Sequence, residues 1–134
     1  MPIQHKKRGF TLIELLIVVV IIGILALAAI PLISANTNEA KSSEARAALG
    51  TIKDRLRVKY IQNNNAVNTS WTIADLVNTT ELTGKYYGAG DYSQTALAAA
   101  TATYRASANT NNSSPQVTMT ISNIQTGAAT LTSP

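Results

Sequence analysis

Hydrophobic and polar positions divide this chain into regimes that follow one another sharply. Residues 1–9, MPIQHKKRG, are polar and basic. From Gly9 to Ile33, GFTLIELLIVVVIIGILALAAIPLI, the chain is apolar almost without interruption. As a helix rising 1.5 Å per residue, a run of that length crosses the hydrocarbon core of a bilayer, roughly 30 Å thick. After Ser34-Ala35-Asn36-Thr37-Asn38, where the asparagines mark a potential local break, the pattern changes. Ala45, Leu49, Ile52, Leu56 and Tyr60 form one stripe at helical spacing, with Arg46, Lys53, Asp54 and Arg57 on other faces. Asn63-Asn64-Asn65 ends it. The pattern predicts a helix over 10–62, roughly 80 Å long if continuous, whose amphipathic part (34–62) supports a head at 63–134.

Within the head the signals are shorter. SWTIADLVN, Ser70 to Asn78, predicts a short helix with Thr72 and Asp75 as a capping pair, and the single tryptophan, Trp71, is expected as a core anchor. Thr83 to Ser93, rich in glycine, predicts turns, since its GxG lacks the flanking strand and helix of a phosphate loop. Thr101 to Ser107 and Val117 to Ile121 alternate polar with apolar residues and predict strands, separated by a turn over Asn109 to Pro115. Ala128 to Leu131, after Gly127, predicts a third. Periodicity does not decide whether Leu97 to Ala100 is helical. The fold class is therefore α+β: a long amino-terminal helix, its first half transmembrane, with a small antiparallel sheet packed on its second half.

Composition narrows the chemistry. Cysteine is absent, which excludes a disulfide framework and thiolate-bound metals. The only histidine, His5, lies in the leader, and the head has only Asp75, Glu81 and Asp91 as acids. No catalytic constellation, metal site or cofactor is expected, and no enzyme. The formal charge of +4 includes Lys6, Lys7 and Arg8; without them eight basic residues face seven acidic ones. Six of those eight gather at Lys41, Arg46, Lys53, Arg55, Arg57 and Lys59. That stripe is expected to be solvated, or to pair with Glu39, Glu44 or Asp54 of neighbouring subunits, and argues only weakly for nucleic acid. Asn68, Asn78, Asn111 and Asn112 match N-x-[ST], a pattern common by chance in a chain so rich in Thr and Asn.

The basic cluster before the apolar run holds that flank in the cytoplasm and exports the carboxyl side. No convincing small-residue cleavage site follows the apolar core. A carboxylate within a membrane segment costs several kcal/mol near the centre and less near an edge, so Glu14 implies a partner or a function. If the chain is cut after Gly9, the new α-amino group on Phe10 is cationic at neutral pH and four residues from Glu14. Gly23 and Pro31 bracket the part of the helix most able to bend or melt.

KKRG followed by FTLIELLIVVVIIGILALAAIP resembles the amino-terminal signature of type IV pilins and the related pseudopilins, over about residues 6–60. The resemblance implies the pilin fold and a cytoplasmic leader, residues 1–9, removed between Gly9 and Phe10. The partner in that step is a membrane-embedded prepilin peptidase that also N-methylates Phe10. It implies that Glu14 is the assembly carboxylate, that residues 10–33 form a transmembrane and then filament-core helix, and that the Gly23–Pro31 segment unwinds on assembly. The expected function is a structural subunit of a type IV pilus-like filament, a homopolymer raised by pilus assembly machinery. The chain would lie in the inner membrane before assembly and at the cell surface afterwards. Two alternatives stand beside it. A major pseudopilin of a type II secretion system has the same leader, but a calcium loop built from head acids is not evident here. A membrane-tethered binding module that never polymerises predicts no cut at Gly9. The carboxyl-terminal cysteine pair of many pilins is missing.

Overall fold

The computed structural model describes residues 9–107 and 114–133. The chain divides into two compact units, the first ending at Asn36 and the second starting at Thr37. One helix, α1 (Leu12–Gln62), contributes to both. It passes through Asn36 and Asn38 without a break, as it does through Gly23 and Pro31. Isolated asparagines weaken a helix by well under 1 kcal/mol each, too little to end one with regular turns on both sides. The helix stops at the asparagine triplet. Asn64 and Asn65 take φ of 54° and 58°, the left-handed region that Asn tolerates better than other side chains. The Asn65 amide then donates to the Tyr60 carbonyl at 3.0 Å, which closes the end.

In the second unit the predicted stripe is the core face. Ala45, Leu49, Ile52 and Leu56 are fully buried, Ser42 extends the row, and Tyr60 packs at its margin. Against it lies a four-stranded antiparallel sheet in the order β1 (Tyr92–Leu97), β2 (Ala102–Ala106), β3 (Val117–Asn123) and β4 (Ala128–Thr132). Alternation sets the faces. Ala102, Tyr104, Ala106, Val117, Met119 and Ile121 point to the core, and Thr103, Arg105, Thr118 and Thr120 point away from it. The strands predicted near 101–107, 117–121 and 128–131 are present. The turn expected over Asn109 to Pro115 falls mostly outside the described residues, as do Asn111 and Asn112.

Two expectations need correction, and the conformation of Leu97 to Ala100, left open by periodicity, is decided. The helix expected over Ser70–Asn78 is a single turn, α2 (Ile73–Leu76). Side-chain acceptors end it on both sides: Asn68 Oδ1 takes the Ser70 amide at 2.9 Å, and Asn78 Oδ1 takes the Thr80 amide at 3.3 Å to start a 3₁₀ turn, Thr79–Leu82. Asp75 does cap it, accepting the Thr72 amide at 2.8 Å. The glycine-rich stretch is not turn to its end, because β1 begins at Tyr92. Leu97 to Ala100 is not helical: Leu97 closes β1, and Ala98 donates to the Thr101 carbonyl at 2.8 Å, which leads into β2. In β1 the alternation is hidden by a bulge between Gln94 and Ala96.

Polar clamps from α1 hold the head. Glu44 is half-buried and accepts three consecutive backbone amides, Lys85 at 3.0 Å, Tyr86 at 2.9 Å and Tyr87 at 2.8 Å. The carboxylate comes so close to Gly84 that a Cβ there would collide with it. Arg57 donates to the Gln125 carbonyl at 3.0 Å beside Gly127, whose φ of 75° turns β3 into β4. Lys59 donates to the Asp75 carbonyl at 2.8 Å and lies 5.1 Å from the Trp71 ring centre. Burial pushes the phenols of Tyr92 and Tyr104 up to about 12, so both are neutral at any physiological pH. Replacing Glu44 with Ala strands three amides at the head's base. We expect Glu44→Ala to lower head stability by about 2–3 kcal/mol, followed by Trp71 fluorescence in urea, with Glu44→Gln losing less because one acceptor oxygen remains.

Candidate assembly site at the amino terminus

The first unit carries an apolar surface with nothing over it. Every phenylalanine, leucine, isoleucine and valine from Phe10 to Ile33 is at least 47% exposed. Scattered exposed leucines are ordinary, but a continuous apolar cylinder of this size is not a surface that a soluble monomer keeps. By length and composition this segment is suited to cross a membrane.

Local geometry at its start differs from the spacing argument in one respect. Phe10 and Thr11 precede the helix, which begins at Leu12. Thr11 is its cap: the Glu14 amide donates to Thr11 Oγ1 at 3.4 Å, and that hydroxyl donates to Glu14 Oε2 at 3.5 Å. Thr11-Leu-Ile-Glu14 thus reads as a Thr-x-x-Glu capping sequence. The same signal identified Thr72–Asp75 from sequence, yet it also stands at the head of the apolar run. A carboxylate in the first turn faces the positive end of the helix dipole, so part of the cost of placing Glu14 here is offset within its own helix. The carboxylate is exposed, and among the described residues no cationic side chain lies within ion-pair distance of it.

Gly23 has open space around its Cα, and Pro31 lies inside the helix, where it removes the amide that would bond the Leu27 carbonyl. The segment is helical in this structure. Gly9 likewise has open space beside it. No cluster of metal-ligating side chains occurs among the described residues.

The basic stripe on the second half of α1 is engaged within the chain. Arg46 pairs with Glu39 at 3.0 Å and donates to Ser133 Oγ at 2.8 Å; Arg55 pairs with Glu81 and Lys53 with Asp54, both at 3.5 Å. Glu44, expected as a partner for a neighbouring subunit's cation, is the acceptor for the 85–87 loop. Sequence reasoning missed this role because Glu44 and the loop are some forty positions apart. We expect Thr11→Val to weaken the first turn by about 1 kcal/mol and to speed amide exchange at Ile13 and Glu14 in detergent micelles, with Thr11→Ser restoring protection.

Comparison with known proteins bears on this end of the chain. The family model described as the prokaryotic N-terminal methylation motif matches residues 4–30. The type II secretion system core protein G of Escherichia coli K12 is 31% identical over 58% of this chain and 53% of its own length. A fimbrial protein of Neisseria meningitidis serogroup A is 38% identical over 60% of this chain and 46% of its own. The type IV major pilin protein PilE of Neisseria gonorrhoeae is 36% identical over 60% and 47%. The chain spans about half the length of these relatives. They are pilus and secretion-system proteins, not enzymes. No solved structure matches the chain. The methylation motif, the long apolar helix that follows it and these relatives agree: the chain is similar to type IV pilins and to type II secretion system core protein G.

Proposed function

We propose that this chain is the structural subunit of a type IV pilus-like filament, in which amino-terminal helices pack side by side and heads form the surface. The observation that carries the proposal is the uncovered apolar cylinder from Phe10 to Ile33 with a single carboxylate at its first turn. Lipid can cover the apolar part before assembly; identical helices can cover it afterwards. On this reading residues 1–9 are a cytoplasmic leader, 10–33 the membrane and filament-core segment, 34–62 the amphipathic continuation and 63–134 the exported head. A prepilin peptidase cuts between Gly9 and Phe10 and methylates Phe10, and assembly machinery lifts the subunit from the inner membrane to the cell surface. Gly23 and Pro31 make the intervening helix the cheapest part to unwind during that transfer, since each weakens the backbone ladder locally.

Glu14 supplies the register. Its carboxylate neutralises the Phe10 amine of an adjoining subunit once lipid and water are excluded. Against a passive anchor, the argument is cost: an apolar residue there would insert better by up to about 3 kcal/mol. A second reading, major pseudopilin of a type II secretion system, is favoured by the resemblance to core protein G. It shares the leader and the long helix, and differs in predicting a part in a secretion system in place of surface filaments.

Mass spectrometry of the mature subunit should give N-methyl-Phe10 as its terminus, and Gly9→Leu should leave an uncut precursor in the membrane; Met1 or Pro2 at the terminus of assembled material contradicts the proposal. Breaking a buried charge pair costs roughly 3–5 kcal/mol, because the surviving charge stays buried without a partner. Glu14→Ala should therefore be inserted and cleaved normally yet polymerise poorly or not at all, counted by electron microscopy of sheared filaments, with Glu14→Asp in between. Abundant normal filaments from Glu14→Ala, with Phe10 processed as usual, contradict the charge pairing.

A further inference from the structure

Among the described residues, the sheet ends in a strand that nothing covers. β4 is last in the order β1-β2-β3-β4, and no strand lies beyond it among the described residues. All five of its residues are exposed, including Leu131 at 47%, although Leu131 and Ala129 lie on the core-facing side with Met119 and Ile121. An edge strand offers unpaired amides and carbonyls to any strand that meets it, and proteins usually blunt such edges with charge, proline, a bulge or a cover. The opposite edge has two of these devices: β1 is broken by its bulge, and α2 packs beside it. β4, Ala-Ala-Thr-Leu-Thr, carries no charge and no proline, and the irregularity in its pairing lies at its first residue only.

We propose that β4 is a pairing site for β4 of a second copy, antiparallel about a two-fold axis at Thr130. Backbone chemistry requires the occupant to be an extended strand. The lack of charge within the strand makes it complementary to itself: its five residues meet a second copy with no like-charge cost, and the nearby cations, Arg46 at Ser133 and Arg57 at Gln125, lie beyond its ends, Arg46 already paired with Glu39. In this register Leu131 of one copy stands opposite Ala129 of the other, large against small on the core-facing side. Thr130 stands opposite Thr130 on the outer side, a favourable cross-strand pair. One five-residue strand buries far less than the roughly 1,000 Å² that a lasting interface needs, so isolated chains associate weakly. Heads arrayed along a fibre engage many times over, and avidity makes the contact durable. The consequence, side-by-side association of fibres, rests on the filament reading; the strand pairing does not.

The chain has no cysteine, so one introduced thiol reports on one position. Full-length Thr130→Cys, in detergent and as fibres sheared from cells, is oxidised with copper phenanthroline, which takes the two hydrogens as two thiols become a disulfide. Thr69→Cys, in an exposed loop, is the control. Paired strands hold the two Cα atoms within disulfide range, so covalent dimer from Thr130→Cys should exceed the control by about tenfold. Adding Leu131→Lys should return it to control level with circular dichroism unchanged. Thr130→Cys dimer no greater than the control in both preparations overturns the pairing. Dimer from Thr130→Cys when the unaltered chain makes no fibres supports the pairing and removes only the filament reading.

Discussion

An apolar helix surface without a cover is the constraint from which the rest of this molecule follows. Burying a valine, leucine or isoleucine side chain gains about 1.5–3 kcal/mol, and the segment from Phe10 to Ile33 presents a succession of them, none more than about half covered by its own chain. One carboxylate at an edge position costs at most a few kcal/mol. Apolar burial therefore wins easily, and Glu14 cannot keep the helix out of a bilayer or a helix bundle. What it can do is choose among arrangements that are equally good for the apolar side chains. Apolar contacts are nearly non-directional, whereas a carboxylate in a dry setting needs a cation at a definite place.

The second unit solves a different problem. A head of modest size has little core, and much of that core is borrowed from one face of α1 through Ala45, Leu49, Ile52 and Leu56. The remaining faces of the same helix carry Glu44, Arg46, Arg55, Arg57 and Lys59, each engaged with a loop, a strand end or an acidic side chain of the head. Exposed ion pairs such as Arg55–Glu81 contribute little, typically below about 1 kcal/mol. The bonds to backbone groups matter more, since they satisfy amides and carbonyls that no strand or helix partner serves. A basic stripe that looks available in the sequence is thus largely structural, which removes most of the support it lent to a nucleic-acid partner.

Long-period patterns were the legible part of the sequence. The apolar run, the 45–49–52–56 stripe and the alternation in β2 and β3 each repeat often enough to outweigh local noise, and each marks the element found. The failures cluster where one side chain decides the backbone. Asn68 and Asn78 cut the expected helix to the single turn of α2, and the bulge near Thr95 hid β1. At the amino terminus, the sequence singled out Gly9, Phe10, Glu14, Gly23 and Pro31 for roles on which the fold of a single chain does not bear, and spacing alone put Phe10 inside the helix, which begins at Leu12. Thr11 was overlooked as the cap that ends it there. Glu44 was beyond reach for another reason: its partners lie far along the chain, and nothing local to either partner announces the contact.

The central claim is that Glu14 sets the register of helix packing by holding a neighbour's amino terminus. The most direct measurement is the separation between the Phe10 amine nitrogen and the nearest Glu14 carboxylate oxygen in assembled material, from a filament reconstruction or solid-state NMR. The account predicts an ion-pair distance, within about 4 Å, on a carboxylate buried among apolar side chains. A Glu14 carboxylate turned to water or lipid, with every Phe10 amine well beyond that distance, would contradict it.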